Sequence, residues 1–357
     1  MTKKDIISVK KAKRVTAQDI ARHLGVSIMT VSRAMNNRGY VDERTRERVL
    51  AAAKELGYRP NYIAKSLALN KTQTIGVIVP EITHSFFPEA IRGIEEAAFM
   101  AGYQLILTHS AENERRERDA LMTLESKRVD GILISTAQSV ESAMPYKKLV
   151  DLGIPIVFFD RCMPGIGASC VSIDDEESAK QITLHLLGHG YKRIAHLSGP
   201  VRVSIGRSRL NGFREALCQK KVTVFEELIV ESGFHESGGY EAMKTLLALP
   251  KKQRPRAVVA VNDPAAFGAM RAIEESGLSI PKDIAIVGFS DDIRAALVSP
   301  PLTTVRQPAY EVGKLAAQKL IEQIEKRTAV IDEITVHTEQ VIRSSCGCTP
   351  HRRQNRP

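Results

Sequence analysis

From Thr74 onward, short apolar runs rich in β-branched residues alternate with amphipathic helical stretches, and this rhythm restricts the possible folds more than any other feature. The apolar runs are TIGVIV at 74–79, QLILT at 104–108, GILIS at 131–135, IPIVFFD at 154–160, RIAHLSG at 193–199, AVVAVN at 257–262 and IAIVGF at 284–289. Helical periodicity fills the intervals, as at 87–100, 176–187, 206–217, 265–276 and 312–326. Strands separated by helices pair in parallel through crossovers, so the pattern predicts doubly wound parallel sheets. It runs long enough for two of them, and CMPGIGA at 162–168 reads as the loop between. Ligands of open α/β sheets sit at the carboxyl ends of strands, so two facing lobes predict a cleft lined by strand-end loops.

Ahead of this core, residues 15–37 read VTAQDIARHLGVSIMTVSRAMNN, two short amphipathic helices around a glycine turn. Thr16 is a good N-cap, and Asp19 three residues later completes a capping-box pattern. Ile20, Ala21 and Leu24 supply an apolar stripe, and Gly25 ends the helix where a left-handed residue is needed. Ser27 caps the second helix, whose Val31, Ala34 and Met35 face inward while Ile28, Met29, Thr30, Ser32, Arg33 and Asn36 face outward. A third helix from an Asp42 cap to about Leu56 places Val49, Leu50, Ala53 and Leu56 inside, with Gly57 as its stop. The run 61–69 permits two further helical turns from an Asn61 cap, too few to be stable alone.

Charge is concentrated in the same region. Residues 1–71 hold 16 Lys or Arg against 6 Asp or Glu, whereas the rest of the 357 residues carries 35 of each, so the net +10 belongs wholly to this N-terminal region. A basic module on a neutral body is the footprint of a nucleic-acid reader, because each phosphate it neutralises releases counterions. No stretch approaches a membrane span and the basic N-terminus lacks the apolar centre of a secretion signal, which predicts a cytoplasmic protein. Five cysteines, at 162, 170, 218, 346 and 348, form no disulfide framework and suit reduced thiols. Cys346, Cys348 and His351 lie close together but lack the paired spacing of a structural zinc site, so neither metal nor cofactor is expected.

Taken together, TAQDIARHLGVSIMTVSRAMNN, TRERVLAAAKELGYRPNYIAKSLA, TIGVIVPEITHSFF, RLNGF, the ND at 262–263, AMRAIEESGLSIPKDIAIVGFSD and PPLTTVRQP resemble the lactose/galactose-repressor (LacI/GalR) family of bacterial transcription regulators. The likeness covers about residues 14–345. It implies a small all-α helix-turn-helix headpiece and an α/β two-lobed core like that of periplasmic binding proteins. The expected division is a basic arm at 1–13, a headpiece at 14–59, a hinge helix at 60–72, a core at 73–345 and a basic tail at 346–357. Within the core, one lobe takes about 73–161 and 292–325, and the other about 162–291 and 326–345.

The resemblance also assigns roles. In the headpiece it matches Thr16, Ser27, Ile28, Met29, Thr30, Ser32, Arg33 and Asn36, of which Ile28 and Met29 hold the base-choosing positions. Being apolar, these two suit thymine methyl groups, whereas Arg33 suits the O6/N7 pair of a guanine. Thr30, Ser32, Tyr58 and Asn61 suit phosphates, which fix register without reading sequence. In the hinge, Leu67 matches a leucine that wedges between base pairs, with Ala64 and Lys65 facing the minor groove beside it.

For the cleft it matches Phe86, Phe87, Asp160, Arg161, Arg209, Phe234, Asn262 and Asp263. The acid expected after GF is replaced by Ser290, which implies a different ligand or a contact shifted to Asp291. With Arg161 and Arg209 nearby, a carboxylated ligand such as a sugar acid is one expectation. The implied partners are a palindromic double-stranded DNA operator, a small-molecule effector and a second copy of the chain. The segment after Arg343 lacks leucine heptads, which favours a dimer over a tetramer. A solute-binding receptor would have no use for the headpiece. An enzyme is disfavoured by the absence of G-x-G-x-x-G, phosphate-loop and G-x-S-x-G motifs, and by histidines scattered along the chain.

Overall fold

The computed structural model describes residues 15–36, 39–58, 71–83, 85–138, 140–326 and 330–348. The chain divides between Thr72 and Gln73 into two compact units. The first contains α1 (Ala17–Leu24), α2 (Ile28–Asn36) and α3 (Glu43–Glu55). The capping box at Thr16 and Asp19 forms in both directions, and Gly25 closes α1 with a φ of 68°. Asp42 caps α3 through the amide of Thr45. Ile20, Ala21, Val31, Ala34, Val49, Ala52 and Ala53 make the small core. One inward assignment fails: Leu50 is 49% exposed, and Ala52 takes its place inside. The short triple of Ala52, Ala53 and Val49 lets the helices approach closely, leaving no room for a leucine on that face.

In the second unit, a six-stranded sheet has the order β11-β5-β4-β3-β1-β2, formed by β1 (Thr74–Val79), β2 (Gln104–His109), β3 (Gly131–Ile134), β4 (Ile156–Phe159), β5 (Ser169–Ile173) and β11 (Glu333–Val336). All its pairs are parallel. Strands β1, β3 and β4 are covered on both faces, which is why these three read as unbroken apolar runs. Ile75, Val77 and Val79 pack toward α4 (Phe86–Met100) and α11 (Ala309–Lys326). Ile78, Ile132 and Ile134 pack toward α5 (Glu114–Ser126) and α6 (Met144–Asp151). Helices α4 and α11 cross on glycines: a Cβ on Gly93 would lie 2.0 Å from the Tyr310 carbonyl oxygen, and one on Gly313 would lie 2.0 Å from that of Ala90.

The second lobe holds a four-stranded parallel sheet, β7-β6-β8-β9, formed by β6 (Ile194–Ser198), β7 (Ile229–Glu231), β8 (Ala257–Ala260) and β9 (Ala285–Val287). Its helices are α7 (Asp175–Gly188), α8 (Ser204–Gln219), α9 (Glu236–Ala248) and α10 (Asp263–Glu275). An antiparallel pair, β10 (Thr304–Arg306) and β12 (Glu339–Val341), completes the unit. Among the described residues no helix is long and apolar enough to cross a membrane.

Three expectations are corrected here. Strands β5 and β11 join the first sheet, although their residues were assigned to the second lobe. Each is half-exposed or short, so neither gave an apolar run in the sequence. Cys162 and Cys170 form a disulfide with their Cα atoms 5.9 Å apart, against the expectation of free thiols, because β5 returns beside β4 and brings the two together. Residues 346–348, expected to begin a tail, pack on the core, with Cys346 fully buried.

Candidate functional site

In the first unit, α2 presents Ser27, Ile28, Met29, Ser32, Arg33 and Asn36 to solvent on its outer side. Ile28 is 50% and Met29 61% exposed, so neither belongs to the small core. Burying a large apolar side chain is worth about 1.5–3 kcal/mol, and two left in water side by side mark a contact surface. The Ser27 hydroxyl accepts from the Thr30 amide at 3.0 Å and bonds the Thr30 hydroxyl at 2.8 Å, which fixes the start of the helix. Asn36 donates to the Ser32 carbonyl at 2.9 Å. The Thr16 hydroxyl is committed to its capping box with Asp19. Tyr58 is half-buried, packed on the headpiece core. Tyr40, 93% exposed between α2 and α3, escaped the sequence reading because a lone tyrosine carries no period. Asn61, Ala64, Lys65 and Leu67 lie outside the described residues.

In the second unit, Phe86, Phe87, Asp160, Arg161, Arg209, Phe234, Asn262 and Ser290 line one cavity of about 450 Å³ including its mouth. The topology explains the convergence: Phe86 and Phe87 begin α4 after β1, Asp160 and Arg161 follow β4, Asn262 follows β8, and Ser290 follows β9. Arg161 stacks over Phe234 at 4.3 Å, with Phe87 at 5.9 Å. Phe86 and Phe87 meet edge to face at 5.1 Å, with Phe87 buried and Phe86 more open. Asn262 caps α10 at the Ala265 amide and donates to the Phe234 carbonyl at 2.9 Å, so it also fixes the aromatic wall. Asp160 and Ser290 adopt φ values of 62° and 126°, a local strain typical of positions that hold a ligand.

The electrostatics bear on one expectation. Arg161 Nη1 is gripped by both Glu112 oxygens at 2.8 and 2.9 Å, and Arg209 Nε donates to Asp175 at 2.7 Å. Both guanidiniums are therefore already paired with buried carboxylates, which weakens the argument for a carboxylated ligand. Burial pushes Asp175 up to about 6 against the opposing pull of Arg209, and it raises Asp160 as well. Buried Arg161 Nε and Arg209 Nη2 have no hydrogen-bond partner among the described residues. A buried donor without a partner is costly, which marks both arginines as strained within the lobe.

Two further positions are corrected. Asp263 is fully buried beneath the cavity and does not line it. It accepts from the Thr304 hydroxyl at 2.6 Å and the Asp292 amide at 2.7 Å, and burial pushes it up to about 7. Asp291 does not stand in for the acid replaced by Ser290, because its carboxylate is bound by Arg306 at 2.8 Å and Arg343 at 2.7 Å. Besides Asp160, the lining acid is Asp292, whose carboxylate is itself paired with Arg294 at 3.0 Å, and Ser85, Ile205, Pro264 and Gln307 complete the wall. None of these stood out in the sequence, since only the turn after β9 decides which of three consecutive polar residues points inward.

Comparison with known proteins agrees with this geometry. A profile described as bacterial regulatory proteins, lacI family, matches residues 16–61, and one described as a periplasmic binding protein-like domain matches residues 183–346. The ribose operon repressor of Halalkalibacterium halodurans is 35% identical over 92% of this chain and 96% of its own length. The HTH-type transcriptional repressor PurR of Vibrio atlanticus is 36% identical over 92% of this chain and 98% of its own. Among solved structures, the Lac repressor dimer bound to operator and the anti-inducer ONPF superposes with a TM-score of 0.82 at 27% identity, covering 94% of this chain and 99% of that one. The complex of the transcriptional regulator CelR with cellobiose gives 0.71 at 30% identity, covering 93% and 100%.

Proposed function

This chain belongs to the lacI family of bacterial regulatory proteins, and on that premise we propose how its two units divide the work of a DNA-binding transcriptional regulator controlled by a small molecule. The first unit binds an operator. Ile28 and Met29 press on thymine methyl groups, Arg33 reads a guanine, and Thr16, Ser27, Thr30, Ser32, Asn36, Tyr58 and Asn61 set the register through the backbone. Two copies of the chain present two such units to a palindrome, as in the Lac repressor dimer with its operator. Leu67, flanked by Ala64 and Lys65, wedges the minor groove and bends the duplex. The observation that carries this reading is the exposed apolar pair Ile28 and Met29 beside Arg33, within the 71 N-terminal residues that hold all the excess positive charge.

The second unit takes the effector. The carboxylates of Asp160 and Asp292, the Ser290 hydroxyl and the open ring of Phe86 suit the hydroxyls and ring face of a neutral sugar. The cellobiose and ribose complexes of structural relatives fit the same chemistry. Closing the lobes on such a ligand alters the spacing of two hinge segments too short to fold alone, and operator affinity follows. A coupling of about 1–3 kcal/mol changes that affinity roughly 5- to 150-fold. The named relatives are repressors, and we assign this chain the same sign of action in the bacterial nucleoid. A binding role, with no catalytic one, is assigned.

Genome-wide footprinting of the full-length protein tests this directly. Protection of discrete imperfect palindromes, lost in an Ile28→Ala/Met29→Ala double variant, is expected. Uniform coverage of DNA unchanged by that variant would refute it.

A further inference from the structure

On the far side of the second lobe, four metal-binding side chains meet. His185 lies in α7, and His189 follows as its C-cap residue. One helical turn separates them, so their rings stand side by side with centroids 4.8 Å apart. Cys346 and Cys348 arrive from more than 150 residues later in the chain. The Sγ of Cys346 is 3.3 Å from His185 Nε2, and that of Cys348 is 3.7 Å from the same nitrogen and 3.1 Å from His189 Nε2. All four ligand atoms lie within 4.8 Å of one another. A tetrahedral zinc ion, with Zn–S near 2.3 Å and Zn–N near 2.0 Å, would separate its ligand atoms by roughly 3.3–3.8 Å.

The surroundings hold this arrangement in place. Ser345 is anchored on both sides of its backbone, receiving the Ile286 amide at 2.9 Å and donating to the Pro301 carbonyl at 3.1 Å, while its hydroxyl bonds the Ile286 carbonyl at 2.7 Å. Gly347 between the cysteines has a φ of 97°, and a Cβ there would come 3.0 Å from the Tyr191 hydroxyl. The turn that aims both sulfurs at the histidines therefore needs glycine. Thr303 donates its hydroxyl to Cys346 Sγ at 3.1 Å, the kind of outer contact that orients a metal-bound thiolate.

We propose that His185, His189, Cys346 and Cys348 form a closed four-ligand site for a zinc-class divalent cation that clips residues 344–348 to α7. Two sulfur and two imidazole ligands select a soft, tetrahedral ion over magnesium or calcium. Four protein ligands leave no open position for substrate, so the role is structural. On binding, the two thiols release their protons to solvent, and two thiolates balance the 2+ ion, which leaves no uncompensated charge at buried Cys346. The sequence showed half of this site in its Cys-Gly-Cys, but the partner histidines are brought in by the fold, in place of His351.

The test uses the full-length protein purified in the presence of reductant, stripped with chelator and titrated with Co(II). Wild type is expected to bind about one ion per chain, with the thiolate-to-cobalt charge-transfer band and the intense visible bands of a tetrahedral site. His189→Ala and Cys348→Ser change the less buried members, so the fold tolerates them. Each should weaken binding at least about tenfold, and zinc should raise the melting temperature of wild type only. Failure of reduced wild type to bind cobalt, binding without the thiolate band, or variants that bind as tightly as wild type would each overturn the proposal. So would a Cys346–Cys348 disulfide persisting in reductant.

Discussion

Arg209 and Asp175 form a buried ion pair, Nε to Oδ1 at 2.7 Å, that ties α8 to the first turn of α7 at the floor of the effector cavity. Arg209 Nη1 is spent as well, on the Val261 carbonyl at 2.6 Å, so this edge of the guanidinium is structural. Its plane rests 3.7 Å from the centre of the Phe289 ring. The same arginine thus ties α8, α7 and the end of β8 together.

Removing the carboxylate leaves that arginine buried and uncompensated. Asp175→Ala should cost about 3–5 kcal/mol of stability. Denaturant unfolding of the two proteins side by side measures it, and a loss below about 1 kcal/mol would mean that solvent reaches the guanidinium.

Because both cavity arginines are already neutralised, ligand choice should rest on hydroxyl geometry. Isothermal titration across aldoses and their aldonic and uronic acids is expected to find binding among the neutral sugars. Asp292→Asn should weaken it by about 1–3 kcal/mol. Selective binding of the acids would show that a free positive charge dominates the site after all.

At the headpiece, Arg33→Ala should relax discrimination at a single guanine by about 1–3 kcal/mol, leaving affinity for unrelated DNA nearly unchanged. An equal loss on every sequence would make Arg33 a phosphate contact. Leu67→Ala should weaken specific operator binding more than nonspecific binding in gel-shift titrations, and equal losses on both would count against the wedge.

Stability should depend on pH through Glu117, which burial pushes up to about 7 from its ordinary 4.5 despite hydrogen bonds from Tyr146 and the Ala137 amide. Between these two values the folded chain holds a proton that the unfolded chain has released. The contribution is therefore complete below about 4.5 and is lost as pH rises through 7. Glu117→Gln has no proton to lose, so relative to wild type it should gain up to about 3 kcal/mol between pH 4.5 and pH 8. Unfolding curves at several pH values read this difference, and a difference independent of pH would show that Glu117 titrates normally in the fold.

Much of this protein can be read from residue order. The apolar runs 74–79, 131–135 and 257–262 predicted strands because strands covered on both faces need apolar residues at every position. The capping box of Thr16 and Asp19 and the stop at Gly25 are local in the chain, so they need no tertiary information. Strands β5 and β11, by contrast, have alternate residues half-exposed, and their short patterns do not stand out from loop. The cavity was legible as a set of strand ends, but its charge balance was not. Glu112 and Asp175, which neutralise the two arginines, sit 49 and 34 residues away from them in sequence.

Periodicity, capping and the placement of charge are properties of neighbouring residues, and from these alone came the three-helix module, the doubly wound core and the duplex as partner. The identity of the cavity's acid, the commitments of Arg161 and Arg209, the Cys162–Cys170 bond and the union of His185 with Cys346 depend on contacts across 8 to 161 residues. Such contacts are set by how sheets twist and helices pack, where a shift of one residue turns a side chain from the cavity to the core.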